Sequence, residues 1–160
     1  MNELEALYLE LVKQFYDRGD RARAKRAALR LEKLLITSHD FAESIRGEEV
    51  RSLIAELRGN IPEAIKSRQA EIRKILALHE LSVRTPKWRY VSSQYDFSDV
   101  SDRYDLLATL YDELGELDSA IAVLKESKAY CEAHKIPFDG QELLEKLQEP
   151  EKENSTSEKA

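Results

Sequence analysis

Apolar residues recur at intervals of three and four along most of the chain, which predicts amphipathic helices. Between residues 3 and 17 the apolar stripe consists of Leu4, Leu7, Tyr8, Leu11, Val12 and Phe15. Comparable stripes follow in residues 20–36, 45–57, 61–76, 104–111 and 120–124. Strict alternation of apolar and polar residues over the length of a strand is absent. The pattern therefore predicts an all-α fold.

Three segments share one internal repeat: a helix, a glycine turn, and an alanine five residues after the glycine. The glycine and alanine pairs are Gly19/Ala24, Gly59/Ala64 and Gly115/Ala120. Glycine allows the chain to leave the first helix through a left-handed backbone conformation, and a small alanine permits close approach of the next helix. The repeat predicts three antiparallel helical hairpins, at about 3–37, 40–81 and 99–135.

The segment "LLATLYDELGELDSAI" resembles a tetratricopeptide repeat. The residues at that family's spacing are Leu107, Ala108, Tyr111, Gly115 and Ala120 in this segment, and Leu11, Phe15, Gly19 and Ala24 in the first. The second segment matches mainly through "RGNIPEAI". The resemblance covers roughly residues 4–135. It implies a stack of antiparallel helix pairs whose concave face binds a peptide or protein.

The spacing of the turn glycines departs from the family period of about 34 residues. The intervals are 40 residues from Gly19 to Gly59 and 56 residues from Gly59 to Gly115. The second excess predicts an insertion at about 82–98, rich in aromatic and basic residues. Its candidate partner-binding residues are Arg84, Lys87, Trp88, Arg89, Tyr90 and Tyr95. Two interpretations stay open: the aromatics pack on the scaffold, with Trp88 and Phe97 facing inward, or they contact a partner.

The C-terminal region predicts a short helix and a tail. After Pro137, Asp139 and Glu142 are typical of a helix start, so we expect a capping helix at 139–148 that covers the end of the stack. Residues 149–160 contain no apolar side chain except the last alanine, and we expect this polar tail to be disordered. The prediction is one domain, 1–148, followed by the tail.

The resemblance also implies which side chains line the concave groove. They are Arg46, Glu49, Asp102, Asp105, Thr109 and Asp112. The acidic third hairpin favours a ligand segment of basic or mixed charge. The alternative is an ordinary solvated face. The Lys/Asn pattern with which chaperone-tail-binding members hold a terminal carboxylate is missing.

Composition excludes several classes of protein. The chain has 160 residues and a net charge of −6, which argues against general nucleic-acid binding. Its single cysteine, Cys131, cannot form an internal disulfide and fits a reducing compartment. The N-terminus does not resemble a signal peptide, and no apolar window is long enough for a membrane span. We expect a cytoplasmic protein.

Two charged features are interpreted as structural. Arg68 interrupts an apolar seam between Ile65 and Ile72, and we expect it to form an ion pair with Glu71 or a neighbouring acid. The basic run from Arg18 to Lys33 spreads over the outward arc of a helix. A solvated face explains this run better than an RNA site.

Candidate chemistry is sparse. His39, His79 and His134 fall in different predicted hairpins, and His134 with Cys131 would supply only two of the four ligands of a zinc site. No phosphate-binding glycine loop or nucleophile motif occurs. We expect no enzyme, metal or cofactor, but a non-catalytic scaffold for protein–protein interaction. The alternatives are a homodimerisation module and an RNA-binding helical-repeat protein.

Overall fold

The computed structural model describes residues 2–16, 20–84 and 97–157. Its helices are α1 (Glu3–Tyr16), α2 (Arg21–Thr37), α3 (His39–Glu43), α4 (Ile45–Leu57), α5 (Ile61–Arg84), α6 (Val100–Glu113), α7 (Leu117–His134) and α8 (Gln141–Ser157). A single 3-10 turn, Phe97–Asp99, precedes α6. Within these residues no strand forms, so the predicted all-α class is confirmed.

The chain forms two compact units, Met1–Glu71 and Ile72–Ala160. The boundary lies inside α5, within the predicted second hairpin. Helix length gives the physical reason. Helix α5 has 24 residues against 13 in α4, so α4 can cover only part of it. The remaining part of α5, from Ile72 onward, belongs to the second unit.

The core of the first unit forms where α1, α2 and α4 pack together. Its buried residues are Leu11, Ala28, Leu31, Val50, Leu53 and Ile54. The hydroxyl of Ser52 donates a hydrogen bond to the carbonyl of Ala64 (3.1 Å) and so connects α4 to α5. Asp20 begins α2, because its carboxylate accepts from the backbone N–H groups of Ala22 and Arg23.

Residues 38–44 separate α2 from α4 and contain the short helix α3. The hydroxyl of Ser38 accepts from the N–H of Phe41, and that of Ser44 accepts from the N–H of Gly47, so each serine begins a new helix. Gly47 is buried against the carbonyl of Phe41, where a Cβ atom would collide with the carbonyl oxygen. The extra residues of the first repeat interval thus form α3 and its turns.

The core of the second unit forms where α7 contacts α6 and α8. Its buried residues are Ala108, Ala120, Leu124, Leu144 and Leu147. Helix α7 ends at Lys135, which adopts a left-handed conformation with φ 56°. The backbone N–H of Asp139 then donates to the buried hydroxyl of Ser101 (2.9 Å) and holds the connection to α8 against α6.

Helix α8 continues to Ser157, past the predicted helix end at residue 148 and into the segment expected to be disordered. That expectation rested on the lack of apolar residues after Leu147. Glutamate and lysine at 149 and 151–153 are good helix formers, whereas Pro150 and residues 154–157 are not. Intrinsic propensity therefore does not explain the longer helix.

Two leucines on α2 provide a matched test of the first core. Leu31 is fully buried, whereas Leu29 is 60% exposed on the same helix. Leu31→Ala should lower the free energy of unfolding by about 3 kcal/mol, because it leaves a cavity among packed side chains. Leu29→Ala should change it by less than about 0.5 kcal/mol. Urea denaturation of both variants measures the difference, and equal losses would contradict the packing described.

Candidate functional site

Four of the six predicted groove residues share one side of α6. Asp102, Asp105, Thr109 and Asp112 follow the spacing i, i+3, i+7 and i+10, which keeps them on a single helix face. Asp102, Thr109 and Asp112 are exposed, and Asp105 is partly buried. The hydroxyl of Thr109 donates to the backbone carbonyl of Asp105 (2.9 Å). We call these four residues the acidic stripe.

Asp105 is the electrostatically strained member of the acidic stripe. Burial, reinforced by the negative charges of Asp102 and Asp139, raises the pKa of its carboxyl to about 6. Backbone covers this carboxyl closely, because a Cβ atom placed on Gly140 would lie 2.6 Å from Asp105 Oδ1. That oxygen is buried and accepts no hydrogen bond from the residues that the structure describes. A cation near the stripe would relieve this repulsion.

The pKa of the Asp102 carboxyl is also raised. Its pKa is raised by burial and by the charges of Asp139 and Asp99, and the nearby Arg103 only partly opposes this. The guanidinium of Arg103 instead forms an ion pair with Asp99, with 3.2 Å between Nη2 and Oδ2. The acidic stripe therefore keeps an excess of negative charge.

The other two groove candidates lie in the first unit and contact each other. Glu49 is buried and accepts hydrogen bonds from the hydroxyl of Tyr8 and from Arg46 Nη1, the latter at 3.0 Å. The guanidinium carbon of Arg46 lies 4.0 Å from the centre of the Tyr8 ring, a cation–π contact. Glu49 therefore has an internal role, whereas Arg46 is exposed and remains a candidate for ligand contact.

Of the predicted insertion residues, only Arg84 is described by the structure. It is exposed at the end of α5, with its Nη2 atom 3.9 Å from Glu80 Oε2. The remaining candidates fall outside the described residues: Lys87, Trp88, Arg89, Tyr90 and Tyr95. Their role stays a prediction.

A ring cluster in the second unit was missed by the sequence analysis. The His79 ring lies 4.8 Å from that of Phe97 and 5.2 Å from that of His134, centre to centre, and its Nδ1 atom is 2.9 Å from the hydroxyl oxygen of Tyr130. Burial and the proximity of His134 lower the pKa of His79, which favours a neutral ring at pH 7. Phe97 is partly buried and contacts a residue of α5.

Only part of this ring cluster could be predicted from the sequence. Tyr130 and His134 are four residues apart on α7, a spacing that predicts adjacent side chains. The contact of His79 with Tyr130 joins residues 51 positions apart, and no local pattern indicates it. Within the described residues, no group of three or more His, Cys, Asp or Glu side chains is placed to hold a metal ion.

The ion pair predicted for Arg68 is confirmed. Its Nη1 atom lies 2.9 Å from Glu71 Oε1, and the side chains of Arg68 and Glu71 are 2% and 0% exposed. A long arginine on an apolar seam is tolerated here because a buried carboxylate one turn away neutralises it. This pair has a structural role.

Comparison with known proteins does not indicate a function for this chain. No family model matches the chain, and neither a curated protein nor a solved structure does. Among the helices that the structure describes, none is both long enough and apolar enough to cross a membrane.

The raised pKa of Asp105 should make the free energy of unfolding depend on pH. Its folded-state pKa is raised above the unfolded value, so the folded chain loses stability as pH rises from about 4 to 6. Asp105→Asn removes the buried charge and should raise the free energy of unfolding above pH 6, but not below about pH 4. Because Asp105 is only half-buried, solvent screens the effect, and we expect about 1 kcal/mol.

Chemical denaturation between these two pH values measures this difference. Asp112→Asn neutralises an exposed carboxylate two turns along the same helix and is the matched control, with an expected change below about 0.5 kcal/mol at either pH. A stabilisation of Asp105→Asn that is equal at both pH values would contradict the assignment.

Arg68 should be far more sensitive to substitution than an exposed arginine of the same helix. Arg68→Met leaves the Glu71 carboxylate buried without its guanidinium and should cost about 3 kcal/mol of unfolding free energy. Arg73→Met, at an exposed position of α5, should cost less than about 0.5 kcal/mol. Thermal unfolding at pH 7 ranks the two variants, and similar melting temperatures would show that the pair contributes little.

Proposed function

We propose that the protein is a non-catalytic protein-interaction module whose acidic stripe on α6 binds a basic or mixed-charge segment of a partner. The observation that carries the proposal is the concentration of unrelieved negative charge at Asp102 and Asp105, next to the exposed Thr109 and Asp112. A lysine or arginine placed there gains attraction and lowers the repulsion among the carboxylates.

The helix pairs support a tetratricopeptide-like arrangement in this proposal. Gly59 and Gly115 have φ values of 76° and 82°, as a left-handed exit from a helix requires. The alanines five residues after the three turn glycines, Ala24, Ala64 and Ala120, are all fully buried. The repeat pattern predicts both features: a left-handed glycine at the turn and a buried alanine where the next helix approaches.

The predicted insertion is the second part of the proposed binding site. Arg84 is exposed at its start, and the aromatic and basic residues that follow would add apolar contact to the charge attraction of the stripe. Because charge alone gives little specificity between basic segments, the insertion would select among them.

The binding assay uses two fluorescein-labelled peptides that differ only in carrying lysine or glutamate at the charged positions. The protein should bind the lysine peptide and not the glutamate peptide. Asp102→Asn with Asp112→Asn should weaken binding about threefold to tenfold, the effect of losing two exposed charge contacts. Fluorescence anisotropy at constant ionic strength measures the affinities.

The matched control is Glu126→Gln with Glu132→Gln, which removes two exposed charges of the same unit from α7 instead of α6. An equal loss in this control would mean attraction to net negative charge and would overturn the proposed site. Replacing Trp88, Arg89 and Tyr90 together by alanine addresses the insertion, and unchanged affinity for the lysine peptide would remove it from the proposal.

A further inference from the structure

Helix α2 carries an apolar stripe on its solvent side. Ala22, Leu29 and Ile36 are spaced by seven residues, and two helical turns bring such residues to nearly the same face. Leu29 is 60% exposed and Ile36 is 82% exposed. The side of α2 that packs into the first unit is the opposite one, with Ala24, Ala27, Ala28 and Leu31. Isolated exposed leucines are common, but a stripe aligned over four turns is a surface.

Basic side chains border this stripe on both sides. At about 100° per residue, Arg21 and Lys25 follow one edge, and Arg26 and Lys33 follow the other. All four are exposed, and none has a carboxylate partner within ion-pair distance among the residues that the structure describes. We call the stripe and its two edges the outer face of α2.

The charge of this helix opposes that of the chain. Helix α2 has six basic residues and one acidic residue, whereas the whole chain has a net charge of −6. Two of its arginines are paired, Arg23 with Asp20 and Arg30 with Glu3. Among the described residues, the cations of α2 without an ion-pair partner are therefore the ones that flank the apolar stripe, which an even distribution of solvating charge would not produce.

A groove extends the outer face along the edge of Arg21 and Lys25. It encloses about 650 Å³ between α2 and the end of α4. Its lining includes Ala28, Leu29 and Leu57. This space can receive an apolar side chain from a ligand that lies along the stripe, and the adjacent cations can hold its acidic groups.

We propose that the outer face of α2 binds an acidic amphipathic helix of a partner protein. Such a helix would place its apolar residues on Leu29 and Ile36, and carboxylates on both sides of its own stripe would meet the two basic edges. The match is one of charge and of periodicity, because both stripes repeat every seven residues.

Three other occupants fit the outer face less well. Symmetric pairing of α2 with its copy would bring like charges together. Single-stranded nucleic acid requires aromatic surfaces for base stacking, and the stripe is aliphatic. An anionic membrane needs larger apolar groups than one leucine and one isoleucine provide.

The test uses a synthetic helix with leucines every third and fourth residue and flanking glutamates, together with a scrambled peptide of equal composition. The protein should bind the ordered helix and not the scrambled one. Leu29→Ala with Ile36→Ala, and separately Lys25→Glu with Lys33→Glu, should each weaken binding at least about tenfold. A lysine version of the helix should restore binding to the charge-reversed variant. Isothermal titration calorimetry gives each affinity.

The matched control is Lys66→Glu with Lys125→Glu, which reverses two exposed lysines on other helices and should bind the acidic helix nearly normally. The Asp102→Asn, Asp112→Asn variant should also bind it normally, so this surface and the acidic stripe are tested independently.

Several results would overturn the proposal. They are the absence of binding at millimolar peptide, equal binding of the scrambled peptide, and failure of the charge-reversed pair to be rescued. Binding of the outer face to phosphatidylglycerol vesicles, to oligouridine or to a second copy of the chain, without binding of the acidic helix, would assign it to another occupant. Circular dichroism of each variant verifies that the helices persist.

Discussion

The close contact between successive helices is the constraint on which the other features depend. Ala24, Ala64 and Ala120 are fully buried near the starts of α2, α5 and α7, where a larger side chain would displace its packed neighbours. Because these contacts form within short segments, each pair can pack before more distant parts of the chain do. The acidic stripe and the outer face of α2 lie on the outward sides of helices that are packed in this way. The packing therefore fixes the positions of their side chains on each helix.

The net charge of the chain hides a segregation of charge between its helices. Helix α2 is strongly basic and belongs to the first unit, whereas α6 presents an acidic stripe in the second. A value of −6 for the whole chain would suggest a uniformly acidic surface. Recognition depends on the local field, which these helices set with opposite signs.

Periodicity predicted the helices well because each residue's burial depends mainly on the face it occupies. It also placed Arg68 correctly, since a charge on an apolar seam needs a partner within one turn, and Glu71 was the nearest acid. Periodicity could not predict the contact of His79 with Tyr130, because an apolar stripe on one helix does not indicate which other helix packs against it. Of the predicted groove, the α6 residues share a face as expected, whereas Glu49 turns out to be occupied by Tyr8 and Arg46.

The half-buried carboxyl of Asp105 has a thermodynamic consequence for ligand capture. With a pKa of about 6, it carries a fraction of a proton near neutral pH. A cationic group that arrives beside it would favour the charged form and expel that fraction into the buffer. Binding of the proposed ligand to the acidic stripe would thereby be coupled to proton release. The measured heat of binding would include the ionisation heat of the buffer, and mild acidification would compete with the ligand.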